Sequence, residues 1–117
     1  MSNKRTLKKN VRRVCGALAA ETLLARHIAE GIDTNAVTKI ITDIADLQCT
    51  TLANATFSFD KQARDFDSRA AYHKARTAYH KKAYTQLWHD FTEGVNTIVK
   101  AMNAAVPAEA RKQAMEL

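Results

Sequence analysis

Apolar residues recur at three- and four-residue steps along most of the chain, with polar residues between them. Such spacing places the apolar side chains on one face of an α-helix, which then packs that face against the rest of the protein. Three long stretches show the pattern, and Pro107 is well placed to open a short fourth helix. These features together predict four helices, over about residues 6–30, 35–56, 60–104 and 108–115.

Polar residues and a glycine mark the boundaries between the predicted helices. Gly31 can adopt the left-handed conformation that ends a helix, and Asp33 or Thr34 can accept the first amide hydrogens of the next one. We expect a tight reversal there, which would make the first two helices antiparallel. Ser58 or Asp60 is expected to cap the third helix. No glycine or proline follows before Gly94, so one long helix is possible.

The third predicted helix is about twice as long as each of the first two. It must either project beyond the other helices or bend near residues 81–83 and fold back. Projection would leave a stripe of alanine and tyrosine side chains uncovered, and uncovered apolar stripes commonly pair with another chain. We therefore expect self-association as a dimer through Ala71, Tyr72, Ala75, Ala78 and Tyr79.

Composition supports an all-α fold. The 117 residues include three glycines and one proline, so few positions interrupt a helix or form tight turns. This length accommodates one domain with one hydrophobic core. We expect a single domain over residues 1–117, an up-down bundle of three or four helices with a long third helix.

The excess of positive over negative charge lies in two segments of the chain. Residues 1–13 carry six cations and no acid, and residues 61–82 carry seven cations against two acids, so the other residues sum to −5 although the whole chain is +6. An antiparallel pair of helices would bring the starts of both segments to one end. Clustered cations of this kind favour phosphate binding. The expected nucleic-acid contacts are Arg5, Lys8, Lys9, Arg12, Lys74, Arg76, Lys81 and Lys82.

Three tyrosines lie among or beside these cations and could stack on unpaired bases, namely Tyr72, Tyr79 and Tyr84. The alternative is that the cations only keep helix faces solvated while the tyrosines cover a contact between helices. No DNA- or RNA-binding motif is present in the sequence to decide between these interpretations.

Catalysis, metal binding and cofactors have little support in the sequence. His73 and His80 are seven residues apart, too far along a helix to share an ion, and His89 with Glu93 supplies only two ligands at helical spacing. Cys15 lies on an apolar stripe and is expected to be buried and inert. We therefore expect no enzyme, no metal, no cofactor and no small-molecule substrate.

The cellular location is predicted from what the sequence lacks. Cys15 and Cys49 form neither a CxxC motif nor a disulfide framework, and no apolar run approaches the roughly 20 residues of a membrane span. We expect a cytoplasmic protein with reduced thiols. A basic, acid-free start is also typical of organellar transit peptides, and this alternative stays open.

The opening KRTLKKNV, continuing through Cys15-Gly16-Ala17-Leu18, resembles a group of small helical bacterial proteins that begin with a KRxLKKxI-type motif. The stripe from Tyr84 to Met102 is similar to the closing helix of that group. The resemblance implies a compact fold of three or four helices. It implies no activity and transfers no functional residue.

Together these features predict a non-enzymatic binding or assembly protein, associated with nucleic acid through its positive end. The alternative is a helical interaction module that forms homodimers and does not bind nucleic acid.

Overall fold

The protein is all-helical in the part of the chain that its computed structural model describes, residues 4–28, 31–106 and 112. No strand occurs within these residues, which confirms the predicted fold class. The elements are α1 (Lys4–Ile28), α2 (Thr34–Asn54), a short 3-10 helix (Ala63–Asp65) and α3 (Arg69–Ala105).

The connection between α1 and α2 has the predicted chemistry. Gly31 has φ = 78°, a left-handed conformation that glycine adopts without a steric penalty. The Asp33 side chain then accepts a hydrogen bond from the Asn35 amide at 2.9 Å and caps the start of α2. The reversal expected at Gly31 and Asp33 is therefore confirmed.

One hydrophobic core joins α1, α2 and the second half of α3. The predicted apolar stripes supply it, and each large apolar side chain that is fully buried contributes about 1.5–3 kcal/mol. Its principal members are Leu7, Val11 and Cys15 of α1, Ile40 and Ile44 of α2, and Leu87, Phe91, Ile98 and Met102 of α3.

A second, smaller cluster fixes the direction of α3. Val106, directly after α3, is buried with Ala25 near the end of α1, and Ile32 from the α1–α2 connection packs against them. The end of α3 thus lies beside the end of α1. The second half of α3 runs parallel to α1 and antiparallel to α2, and the first half of α3 lies beyond the end at which α1 begins.

The first half of α3 projects from this body. The helix has 37 residues, about 55 Å, whereas α1 has 25 residues, about 38 Å. The first buried residue of α3 is Leu87, and the molecule measures 66 × 24 × 17 Å. Because α3 is continuous through residues 81–83, it projects there and does not fold back.

The prediction that the third helix begins at residue 60 was wrong. The helix begins at Arg69, and the Ser68 hydroxyl, not Ser58 or Asp60, accepts a hydrogen bond from the Ala71 amide at 3.1 Å. The preceding segment runs along the projecting helix and packs its half-buried phenylalanines against it. A continuous helix would instead carry Phe59 about 30 Å from Tyr79, its neighbour in the structure.

The other boundaries lie close to those expected. α1 begins two residues earlier than predicted, α2 begins one residue earlier and ends two residues earlier, and α3 ends one residue later. The short helix predicted over residues 108–115 lies outside the described residues, apart from Lys112.

Candidate nucleic-acid interface

The two basic segments begin at the same end of the molecule. The Lys4 ammonium at the start of α1 donates a hydrogen bond to the Phe57 carbonyl oxygen at 2.8 Å. It also lies 5.1 Å from the centroid of the Phe57 ring, a cation–π distance. Phe57 lies four residues before the second basic segment, which begins at Lys61. We call this the basic end, the end at which α1 begins and α3 leaves the body.

On α1, the helical period separates the cations from the core. Leu7 and Val11 point into the body, and the residues between them face outward. Lys9 is exposed, whereas Lys8 and Asn10 are half-buried. The cations of this face are Arg5, Lys8, Lys9, Arg12 and Arg13.

Beyond the basic end, two parts of the chain form a projecting arm. One part is the first half of α3, residues 69–83, and the other is the strap, residues 57–68, which precedes it. Ring contacts hold the strap on the helix: the Phe59 centroid lies 5.4 Å from that of Tyr79 and 5.9 Å from that of Tyr72. Phe66 lies 5.7 Å from Tyr72. These contacts form a small, half-buried aromatic cluster in the arm.

The strap covers one side of the helix and leaves another side open. Ala71, Tyr72 and Ala75 are half-buried, whereas a second set of residues is fully exposed. This second set follows the helical spacing i, i+4, i+7, i+8 and i+11, so its members share one side of α3. We call it the open face: Ala70, Lys74, Thr77, Ala78 and Lys81.

The structure brings some of the predicted contact residues together and separates others. Lys74 and Lys81 share the open face, about 10.5 Å apart along the helix. Arg76 and Lys82 are exposed on other sides of the arm. Arg76 lies seven residues after Arg69, so these two arginines form a separate row.

None of these cations is neutralised within the described part of the chain. The two ion pairs there are Lys39 with Asp43 at 2.8 Å and His89 with Glu93 at 3.3 Å. Both lie outside residues 4–13 and 61–82. Like charges that lie near one another and form no ion pairs create a positive potential that attracts anions.

The tyrosines are already engaged inside the molecule. Tyr72 and Tyr79 contact Phe59, and the Tyr84 ring packs edge-on against Trp88 with centroids 6.2 Å apart. Tyr79 is 37% exposed. Each ring therefore already packs within the arm or the body, and this packing competes with the expected stacking on unpaired bases.

The strap also changes the predicted self-association stripe. That stripe was expected to be uncovered, but Phe59 and Phe66 lie against its tyrosines, and of its five residues Ala78 and Tyr79 stay exposed. Sequence reasoning missed these two phenylalanines. Their signal was the presence of large apolar residues, seven apart, in a segment otherwise composed mainly of polar residues.

Outside the basic end, the groups that could carry chemistry are few among the described residues. His89, Asp90 and Glu93 place their ligand atoms within 4.8 Å of one another, but all three side chains are exposed on one helix. Asp90 also accepts a hydrogen bond from the Gln86 amide at 2.9 Å. Cys15 is buried in the core, and burial raises the pKa of its thiol.

None of the described helices combines the length and the apolar character needed to cross a membrane. No family model matches the chain, and neither a curated protein nor a solved structure shows significant similarity to it. The site itself therefore carries the functional inference.

Proposed function

We propose that this protein binds nucleic acid through its basic end and the arm that projects from it, and has no catalytic role. The observation that carries the proposal is the absence of acidic partners for the described cations of residues 4–13 and 61–82, whose segments begin at one end. The phosphate-binding residues are Arg5, Lys8, Lys9, Arg12, Lys74, Arg76, Lys81 and Lys82.

Phosphate binding is the interaction that this arrangement favours energetically. Each lysine or arginine that neutralises a backbone phosphate releases condensed counterions, so affinity falls as salt rises, with a slope of about −0.9 per phosphate on duplex DNA. Binding also relieves the repulsion among unpaired cations. The same chemistry needs no metal, cofactor or small-molecule substrate.

We also propose that the protein is cytoplasmic. Its two cysteines are free, one buried and one exposed, as is usual where thiols are kept reduced.

The test measures binding to a fluorescently labelled nucleic acid of mixed sequence at about 50 mM and about 200 mM salt, where affinity should fall steeply. Three single charge reversals are compared. Arg12→Glu and Lys81→Glu should weaken binding and make the salt slope shallower by about 1 or more. Lys100→Glu, on the exposed side of α3 near its other end, should change both much less.

Two results would contradict the proposal. One is the absence of binding even at low salt. The other is equal loss of affinity in all three variants, which would show that net charge acts without regard to position.

Self-association through the arm is the second candidate function. Ala78 and Tyr79 stay exposed beside the strap, on a helix that projects away from the body. Sedimentation at rising concentration should then show a dimer that Tyr79→Lys dissociates. A monomer at every concentration, unchanged by Tyr79→Lys, would reject this function and leave nucleic-acid binding untouched.

A further inference from the structure

We propose that the ligand of the arm is a nucleic-acid duplex, held by its phosphates through the open face, without base recognition. This inference rests on the proposed function and goes further by naming the form of nucleic acid and the face that contacts it.

The aromatic contacts disfavour a single strand. Proteins that bind single strands combine a cationic groove with exposed aromatic rings, on which successive bases stack. In the arm, Phe59 and Phe66 lie against Tyr72 and Tyr79, at centroid distances of 5.4–5.9 Å for the pairs that join strap and helix. A base could stack on the strap-facing sides of these tyrosines only by displacing the strap.

The open face suits close approach to a duplex. Its cations are Lys74 and Lys81, and the side chains between and beside them are small, namely Ala70, Thr77 and Ala78. Small side chains allow the helix backbone to come near a groove wall while the longer lysines reach phosphates. The projecting part of α3 is about 22 Å long. The major groove of B-DNA is about 12 Å wide, which is enough for an α-helix.

The same face carries few side chains suited to reading a base sequence. Arginine, asparagine and glutamine read base edges through paired hydrogen bonds, whereas lysine can contact guanine but is a point charge equally suited to phosphate. The open face offers one hydroxyl, that of Thr77, beside two alanines and two lysines. Its contacts would therefore be with phosphates, which fix position and carry no direct sequence information.

Charge also disfavours a second copy of this chain as the occupant of the open face. Two open faces brought together would place Lys74 and Lys81 of one chain against the same lysines of the other. Like charges in such contact are destabilising, and no acid within the described part of the chain lies on this face to compensate.

The test compares duplex and single-stranded DNA of the same sequence, about 20 nucleotides long, as competitors for one labelled duplex at low salt. We expect the duplex to compete about tenfold better than either separate strand, and a duplex of shuffled sequence to compete equally well. The double variant Lys74→Glu with Lys81→Glu should lose most of this preference.

A neutral variant tests the close approach without a change of charge. Ala78→Leu adds bulk on the open face, along the helix between Lys74 and Lys81, and should weaken duplex binding about threefold or more, with little effect on single-strand binding. Ala45→Leu, at an exposed alanine of α2, is the matched control and should leave both affinities unchanged.

The outcomes separate this inference from the proposed function. Binding to neither form would refute both. Salt-dependent binding in which single strands compete as well as duplex, or better, would overturn the duplex inference and keep nucleic-acid binding. Strong dependence on duplex sequence would overturn the phosphate-only contact, and equal effects of Ala78→Leu and Ala45→Leu would overturn the role of the open face.

Discussion

The two cysteines differ in burial, and this difference predicts their reactivity. Cys15 is 1% exposed within the core, whereas Cys49 is exposed on α2. Because the thiolate is the reactive form and burial both blocks access and raises the pKa of the Cys15 thiol, a thiol reagent should modify Cys49 alone in the folded protein. Mass spectrometry before and after denaturation measures this. Modification of both thiols at similar rates without denaturant would show that the core opens there.

The raised pKa of Cys15 also makes stability depend on pH. In the unfolded chain the thiol loses its proton near its ordinary pKa of 9.0, whereas in the folded protein it stays protonated to a higher pH. The unfolded state therefore binds fewer protons above this value, and the free energy of unfolding falls as pH rises. Urea unfolding at about pH 8 and about pH 10 should show a larger loss in the natural protein than in Cys15→Ala. Equal losses would assign the effect to other groups.

Gly94 predicts an energetic coupling between α2 and α3. A Cβ atom added there would lie 2.5 Å from Cδ1 of Leu47, so this side chain would have to move. Replacing a helical glycine by alanine otherwise raises the free energy of unfolding by about 1 kcal/mol. Gly94→Ala should therefore raise it by the full amount in a Leu47→Ala background and by clearly less in the natural protein. Urea unfolding of the four proteins in this double-mutant cycle measures the coupling. The same gain in both backgrounds would contradict the close contact.

At the scale of elements, Ser68 determines where α3 begins. Its hydroxyl accepts a hydrogen bond from the Ala71 amide, and loss of such a cap costs about 1 kcal/mol. The first turns of α3 lie outside the core, so Ser68→Ala should reduce amide protection mainly in residues 69–76 and leave residues 87–102 protected. Hydrogen exchange measures both regions. Ser58→Ala, in the strap, is the control and should change neither.

The sequence was sufficient for the elements whose signals are local. Gly31 and Asp33 mark the first reversal by their own backbone and side-chain chemistry, and the stripe from Leu87 to Met102 has no other place to be buried than the core. The start of α3 depends instead on contacts between distant residues, because Phe59 meets Tyr79 only after the chain reverses. Helical spacing describes neighbours along a helix, and it cannot show that a preceding segment folds back.

The candidate site, too, was predictable from the sequence only in part. Charge counting found the cations, and an antiparallel arrangement of helices was enough to place both segments at one end, as the bond from Lys4 to Phe57 now supports. The division of the arm into a strapped face and an open face was not predictable. It depends on which side of α3 the strap covers, and that follows from the ring contacts of Phe59 and Phe66.

At the scale of the whole molecule, the distribution of charge and of apolar side chains separates two regions. The body buries the large apolar residues, whereas the arm, with its half-buried aromatic cluster, carries Lys74, Arg76, Lys81 and Lys82 away from it. This separation gives the arm cations access to an extended anionic partner from several sides. A compact bundle of the same composition would shield some of these cations with its own surface.

The elongated shape is itself a testable consequence of the arm. The Cα radius of gyration is 19.2 Å, whereas a compact domain of this length has about 13 Å. Small-angle scattering at low protein concentration should therefore give a radius near the larger value, with a long tail in the distance distribution toward 66 Å. A radius near 13 Å would show that α3 bends and the arm folds onto the body. A concentration series separates an extended monomer from a dimer. Self-association raises the forward scattering per unit of protein concentration, whereas an extended monomer leaves this ratio constant.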